Sequence, residues 1–141
     1  MRTLEQERAK HAWEVVNEIR KSDTGHFRSY VERLPASILV NGLGQALAAE
    51  LAAAEFATAE KAGADKKSEK ERRDREAHRR LYTALEKWIV EKRGIYRSEE
   101  GLMKGIVNGT QEQYILAQAE ALAYLEWLKK FARAFLKKKE E

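Results

Sequence analysis

The stretch Leu34-Pro35-Ala36-Ser37-Ile38-Leu39-Val40-Asn41-Gly42-Leu43-Gly44-Gln45-Ala46-Leu47-Ala48 is apolar at helical spacing, yet it carries a proline near its start and two glycines in its middle. Each interior glycine costs a helix about 1 kcal/mol against alanine. A chain keeps such residues where the backbone must bend or where something packs very close to it. The stretch therefore predicts helix with a bend at Asn41-Gly42. A glycine-broken helix in a chain without an evident catalytic group points to a packing or docking module rather than an enzyme.

Toward the N-terminus, Leu4, Ala9, Ala12, Val15, Val16 and Ile19 share one helical face with Trp13 at its edge, which predicts a first helix from about Leu4 to Lys21. Ser22-Asp23-Thr24-Gly25 reads as a turn. Phe27, Tyr30, Val31 and Leu34 mark a short helix, and Pro35 suits the first turn of another. Toward the C-terminus, Leu43 to about Ala62 resumes as an alanine-rich helix, and Gly63 to Lys67 reads as a mobile polar loop. Ser68 to Arg93 is a long helix with Ala77, Leu81, Ala84, Leu85, Trp88 and Ile89 on its inner face. Gly94 to Gly109 then hold four glycines and a short amphipathic piece with Leu102, Met103, Ile106 and Val107. The last helix runs from about Thr110 to Lys137, and residues 138–141 read as a frayed tail. Thr3 with Gln6, Ser68 with Glu71 and Thr110 with Gln113 have the spacing of a capping box.

No segment sustains two-residue alternation, so the expectation is one all-α domain over residues 1–141, a bundle of about five to seven helices. The apolar residues of the last helix cover an arc of roughly 200°, wider than a surface helix needs. Leu116, Leu122, Tyr124, Leu125, Trp127, Leu128, Phe131 and Phe135 thus face more than one neighbour, and the extra face is either buried between helices or offered to a partner protein.

With 43% hydrophobic residues the chain has a core to bury, which excludes a disordered protein. No apolar run approaches the ~20 residues that span a bilayer. No basic start followed by an apolar core and a small-residue cleavage site is present, so the expected location is the cytoplasm. The absence of cysteine excludes disulfides and cysteine-ligated metals. The net charge of +4 is concentrated: Lys66 to Arg80 holds eight basic and four acidic residues, and Lys129 to Glu141 holds six and two. Positive charge gathered on two helices favours a polyanionic partner.

The three histidines, His11, His26 and His78, do not pair at metal-site spacing. Asp74 and His78, four apart on an arginine-rich helix, read as an exposed polar pair. Gly42-Leu43-Gly44 follows no strand and so does not read as a phosphate loop. No catalytic residue, metal or cofactor is expected, and the chain reads as a non-enzyme. Arg8 lies within the apolar face of the first helix and must be paired, as a structural ion pair or carbonyl clamp, or on a phosphate. On the long middle helix Arg72, Arg75, Arg79 and Arg93 lie close to one line, interrupted by Glu86. On the last helix Lys130, Arg133 and Lys137 lie on another, with Lys129 beside it and Glu126 intruding. Such stripes follow a phosphate backbone by charge. The aromatics of both helices mostly point inward, which argues against base stacking.

Leu34-Pro35-x-x-Ile38-x-x-Asn41-Gly42-Leu43-Gly44-Gln45-Ala46-Leu47 resembles the signature of the small α-helical subunit, subunit five, of the Cmr complex, the type III-B CRISPR effector. Arg8-Ala9-x-x-Ala12, Tyr30 and the late block from Tyr114 through Glu120-Ala121-Leu122-Ala123-Tyr124-Leu125-x-Trp127-Leu128-Lys129-Lys130-Phe131-Ala132 fit the same pattern in the same order. Lys66 to Arg80 matches no part of it. The resemblance implies an all-helical, non-catalytic subunit in antiviral defence, whose copies stack as a minor filament along a crRNA-guided complex. Its implied partners are the backbone subunits, the large subunit, further copies of itself and the crRNA–target RNA, with no membrane and no small-molecule substrate. No catalytic or nucleic-acid residue is transferred from the family. On charge mapping alone the expected RNA contacts are Arg72, Arg75, Arg79, Lys129, Lys130, Arg133 and Lys137. The alternative is a free-standing helical adaptor that binds only protein.

Overall fold

The computed structural model describes residues 1–22, 25–59 and 67–138, with the backbone alone for 55–59 and 67–68. Six helices and no strand occur among them: α1 (Leu4–Ile19), α2 (Phe27–Asn41), α3 (Leu43–Ala59), α4 (Lys67–Glu86), α5 (Gly101–Asn108) and α6 (Gln111–Phe135). Residues Lys87–Lys92 continue α4 as a π-helical turn. The expected loop at 63–66, the helix residues 60–62, part of the 22–25 turn and the tail at 139–141 lie outside the described residues.

Two of the three capping boxes form as read. The Gln6 amide donates to Thr3 Oγ1 at 3.1 Å while the Thr3 amide donates to Gln6 Oε1 at 2.8 Å. Thr110 and Gln113 repeat this arrangement before α6 with the same two distances. At the third, α4 has already begun by Lys67, so Ser68 does not mark its start. The side chain of Ser68 lies outside the described residues.

Pro35 does not divide two helices. It lies inside a single continuous α2, contrary to the sequence reading. An interior proline costs about 3 kcal/mol. Phe27, Val31, Leu34 and Ile38 are all buried on one face of α2, and each such side chain contributes about 1.5–3 kcal/mol. A break at Pro35 would put Ile38 out of register with the other three, so burial wins.

The turn at Asn41-Gly42 is real, and it separates two helices. Gly42 has φ +88° and ψ 157°, a conformation open in practice only to glycine. A Cβ there would also stand 3.0 Å from the Tyr114 hydroxyl oxygen. Beyond it, α6 caps α3: the Leu43 amide donates to Gln118 Oε1 at 2.8 Å and the Gly44 amide to the Tyr114 hydroxyl at 3.0 Å.

The alanine-rich α3 lies along α4, while α6 packs against α1 and α2. The buried core runs through Val16, Phe27, Ile38, Leu47, Leu81, Ile89, Leu102, Tyr124 and Leu128. The broad apolar surface of α6 is partly buried between helices and partly exposed. Ala117, Ala121, Tyr124, Leu125, Leu128 and Ala132 are buried, whereas Ile115, Leu116 and Phe135 near its ends are exposed. On α5, Leu102 is buried but Val107 faces outward.

Candidate nucleic-acid interface

The charged side chains fall into two groups, one internal and one at the surface. The first is internal. Glu120 is only 4% exposed. It accepts from Arg8 Nε at 2.5 Å and Arg8 Nη2 at 3.1 Å, from Trp88 Nε1 at 2.9 Å and from Arg93 Nε at 3.3 Å. Burial pushes the Glu120 carboxyl up, but the Arg8 and Trp88 hydrogen bonds and the two guanidinium charges hold it below its ordinary value. Arg8 is thus the structural ion pair among the roles open to it from sequence. Arg93 is drawn to the same carboxylate and leaves the line of arginines on α4. The π turn explains how: the Arg93 amide bonds to the Trp88 carbonyl at 2.9 Å, five residues back, so the wider turn shifts Arg93 off the α-helical line of Arg72 and Arg79.

The second group lies at the surface. Arg72 pairs with Glu69 at 3.0 Å and Arg79 with Glu76 at 3.0 Å, while Arg79 Nη2 also reaches the Ala54 carbonyl. Arg75, by contrast, is 6% exposed and packs within the fold. On α6, Lys129 and Lys130 share Glu126 at 3.7 and 3.1 Å. Arg133 Nε donates to Glu32 Oε2 at 2.9 Å. Lys137 falls beyond the end of α6, which stops at Phe135, so it is off the helical line drawn for it. The hydrogen bond from Lys130 keeps the Glu126 carboxyl below its ordinary value, and the one from Arg133 does the same for Glu32. Exposed pairs of this kind contribute about 0.2–1 kcal/mol each, small enough for a phosphate to displace the carboxylate.

The two basic segments, far apart in sequence, are both tied to one place, the start of α2. From α4, Asp74 bonds to His26 Nδ1 at 3.2 Å. From the end of α6, Arg133 reaches Glu32, and Arg28 Nη1 donates to the Leu136 carbonyl at 3.1 Å, anchoring the chain that carries Lys137 and Lys138. Arg28 and Arg33 of α2 thereby join the basic surface. They escaped the sequence reading because α2 has no local excess of charge, and only the tertiary contacts enlist them.

The Asp74–His78 pair does not form as read. Asp74 turns to His26, and His78 Nδ1 bonds to Glu50 Oε1 of α3 at 2.8 Å while its ring stacks on Tyr30 at 3.8 Å. Both pairs are half-buried, because α4 packs between α2 and α3 and each histidine finds its partner across a helix interface. Trp88 and Tyr124 point inward and stack at 5.6 Å. Trp13 and Phe135 stay exposed and meet edge to face at 5.1 Å, with Arg20 over the Phe135 ring.

No group of three or more metal-ligating side chains occurs among the described residues. Nor is any helix there long and apolar enough to cross a membrane. A distinct apolar surface lies where α2, α3, α5 and α6 meet. Leu39, Val40, Val107, Ile115 and Leu116 are all more than half exposed and flank that junction, where the hydrogen bonds of the Leu43 amide to Gln118 and the Gly44 amide to Tyr114 join α3 to α6.

The family model for CRISPR-associated protein Cas_Cmr5 matches residues 4–135. The fold is also similar to the X-ray crystal structure of a CRISPR-associated Cmr5 family protein from Thermus thermophilus. The two are 28% identical, with a TM-score of 0.63 over 96% of this chain and 100% of that one. With nearly its whole length matched, and with a fold that places the Asn41-Gly42-Leu43-Gly44 turn against Tyr114 and Gln118, the chain belongs to the CRISPR-associated Cmr5 family.

Proposed function

We propose that this protein is a non-catalytic small subunit of a type III-B Cmr ribonucleoprotein, stacking as a minor filament and steadying the guide–target RNA through a basic surface. Family membership makes it a Cmr-complex small subunit in CRISPR defence, associated with other subunits of that complex. The observation that carries the finer reading is the junction at α2, where Arg133 of α6 and Lys138 of the chain beyond it stand beside Arg28 and Arg33. Lys129 and Lys130 of α6 and Arg72 and Arg79 of α4 are the further proposed RNA contacts. Arg75 serves the fold at this site. The contacts are charge-based, so binding is sequence-tolerant and falls steeply with salt.

The apolar junction around Leu39, Val40 and Ile115 is the docking side. Its clustered exposed aliphatic side chains have the apolar character of a protein-interface core. Weak RNA sites on separate copies add through effective concentration, so a stacked array retains RNA better than one subunit.

The test is the triple variant Lys130→Glu, Arg133→Glu, Lys137→Glu in the assembled complex. Photo-crosslinking from this subunit to target RNA drops several-fold while the subunit remains incorporated. Unchanged crosslinking would reject the assignment of this surface. A purely protein-binding adaptor would give no salt-dependent RNA binding at all.

A further inference from the structure

Between the first turns of α2 and the chain that follows α6 lies a pocket of about 350 Å³ lined by His26, Ser29, Tyr30, Glu32, Arg33 and Lys138. We propose that it is a phosphate-binding site, taking one phosphate group in a defined position rather than a backbone by diffuse attraction. The proposal rests on the RNA-supporting reading for its biological ligand but concerns residues outside the α4 and α6 stripes.

The chemistry follows from which lining groups are already committed. Tyr30 offers no free ring face: its ring is stacked on His78 at 3.8 Å, and the Arg33 guanidinium carbon sits 5.1 Å from its centroid. No face of that ring remains for a nucleobase. Glu32 is the one acid in the wall, and it is spanned by two guanidiniums, Arg28 at 3.2 Å and Arg133 at 2.9 Å. Asp74, just behind, is held by His26 at 3.2 Å. The cations around the pocket, Arg28, Arg33, Arg133 and Lys138, thus outnumber these two acids. Arg33 and Lys138 are exposed and have no carboxylate partner among the described residues. Arg33 offers a planar fork of donors suited to phosphate, held in place by the Tyr30 ring. Lys138 adds a mobile point charge, and the Ser29 hydroxyl a neutral donor. A site with donors and positive charge in excess, and no open aromatic face, selects phosphate over base.

The phosphate has two possible sources, an internal diester of RNA or a terminal monoester. Both are separated by nuclear magnetic resonance titrations of the full chain at constant ionic strength. The probes are inorganic phosphate, a tetraribonucleotide, and the same tetraribonucleotide carrying a 5′-phosphate, with chloride as control. The Ser29 and Arg33 amides and the Arg33 side-chain N–H shift saturably with phosphate and do not respond to chloride. Equal binding of the two tetranucleotides, both tighter than inorganic phosphate, assigns the diester; preference for the 5′-phosphorylated one assigns the monoester. Arg33→Gln weakens binding of the preferred probe about tenfold, Lys138→Gln about threefold, and Arg33→Lys restores part of the loss. Lys138 follows the last helix, so its variant reports on the site even if Arg33→Gln perturbs the Tyr30 stack. Absence of a saturable shift at Ser29 and Arg33, or shifts indifferent to both glutamine variants, overturns the site. That result leaves the crosslinking test of the α6 cations independent, and the converse also holds.

Discussion

Glu120 and Glu32 are both carboxylates gripped by two arginines, yet they sit in opposite regimes. Glu120 is 4% exposed, and its partners Arg8 and Arg93 are themselves half withdrawn from water, at 16% and 31% of their side-chain surface. Glu32 meets Arg133, whose side chain is 56% exposed. In the first setting a lost partner strands a charge, because water cannot take its place. In the second, water or a phosphate substitutes at little cost. The same residue types therefore build the fold in one region and leave a usable surface in the other. Burial of the shared carboxylate, 4% exposed for Glu120 against 22% for Glu32, separates the two regions, not the number of charges.

Removing the internal carboxylate gives the largest effect. Glu120→Ala leaves Arg93 and the Trp88 indole N–H without their acceptor and Arg8 with Glu5 alone, and it lowers unfolding free energy by about 3 kcal/mol, read by urea denaturation. Arg133→Gln, the matching change at the surface, moves stability by less than about 1 kcal/mol. Equal losses in the two variants would erase the distinction drawn here. Next in size is Gly42→Ala. The residue's φ of +88° and the Tyr114 oxygen 3.0 Å from a new Cβ together cost about 1–3 kcal/mol. The loss appears in the same denaturation experiment, with the α6 caps on α3 showing faster amide exchange.

Acidification probes the interior without mutation. Glu120 has a folded pKa below its ordinary 4.5, so its contribution is complete above that pH and is lost as pH falls from there through the lower folded value. His11 is buried against Tyr124, sharing a 2.7 Å hydrogen bond, and burial lowers its pKa from 6.5. Below pH 6.5 the unfolded chain takes up a proton at His11 that the folded chain resists, so stability declines on that side as well. Denaturation midpoints measured from pH 7.5 downward show a shallow early loss and a steeper one below about 4.5. His11→Gln flattens the first and Glu120→Gln the second. An unchanged early slope in His11→Gln would remove His11 from this account.

The legible and illegible parts of this structure divide along the same line. Periodicity and capping spacing located α1 and α6, and the Asn41-Gly42 turn followed from glycine's freedom, because all of these depend on residues within a few positions of each other. Arg8 stood out because an arginine on an apolar face demands a partner, but Glu120, 112 residues away, did not announce itself. The continuity of α2 through Pro35 was hidden because proline's local cost is visible in sequence and the opposing burial of Ile38 is not. The stripes failed in a related way. A helical wheel places Arg75 with Arg72 and Arg79, whereas packing buries Arg75, and the π turn carries Arg93 inward to Glu120. The contribution of Arg28 and Arg33 to the basic surface comes from tertiary contacts alone.

The smallest expected effect on stability is the most telling for function. In Lys130→Glu, Arg133→Glu, Lys137→Glu the Glu126–Lys130 and Glu32–Arg133 pairs are lost. Each is an exposed pair in high dielectric worth a few tenths of a kcal/mol, and like-charge contact adds a similar penalty. The melting temperature therefore moves by only a few degrees. RNA retention responds differently, because each reversal both deletes a released counterion and adds repulsion toward phosphate, so the slope of log affinity against log salt shrinks along with the affinity. A variant that keeps its fold and loses its salt dependence separates the surface charges from the Glu120 group. One that unfolds shows that Glu32–Arg133 belongs with the internal pairs, and the boundary between the two regions then moves outward to the end of α6.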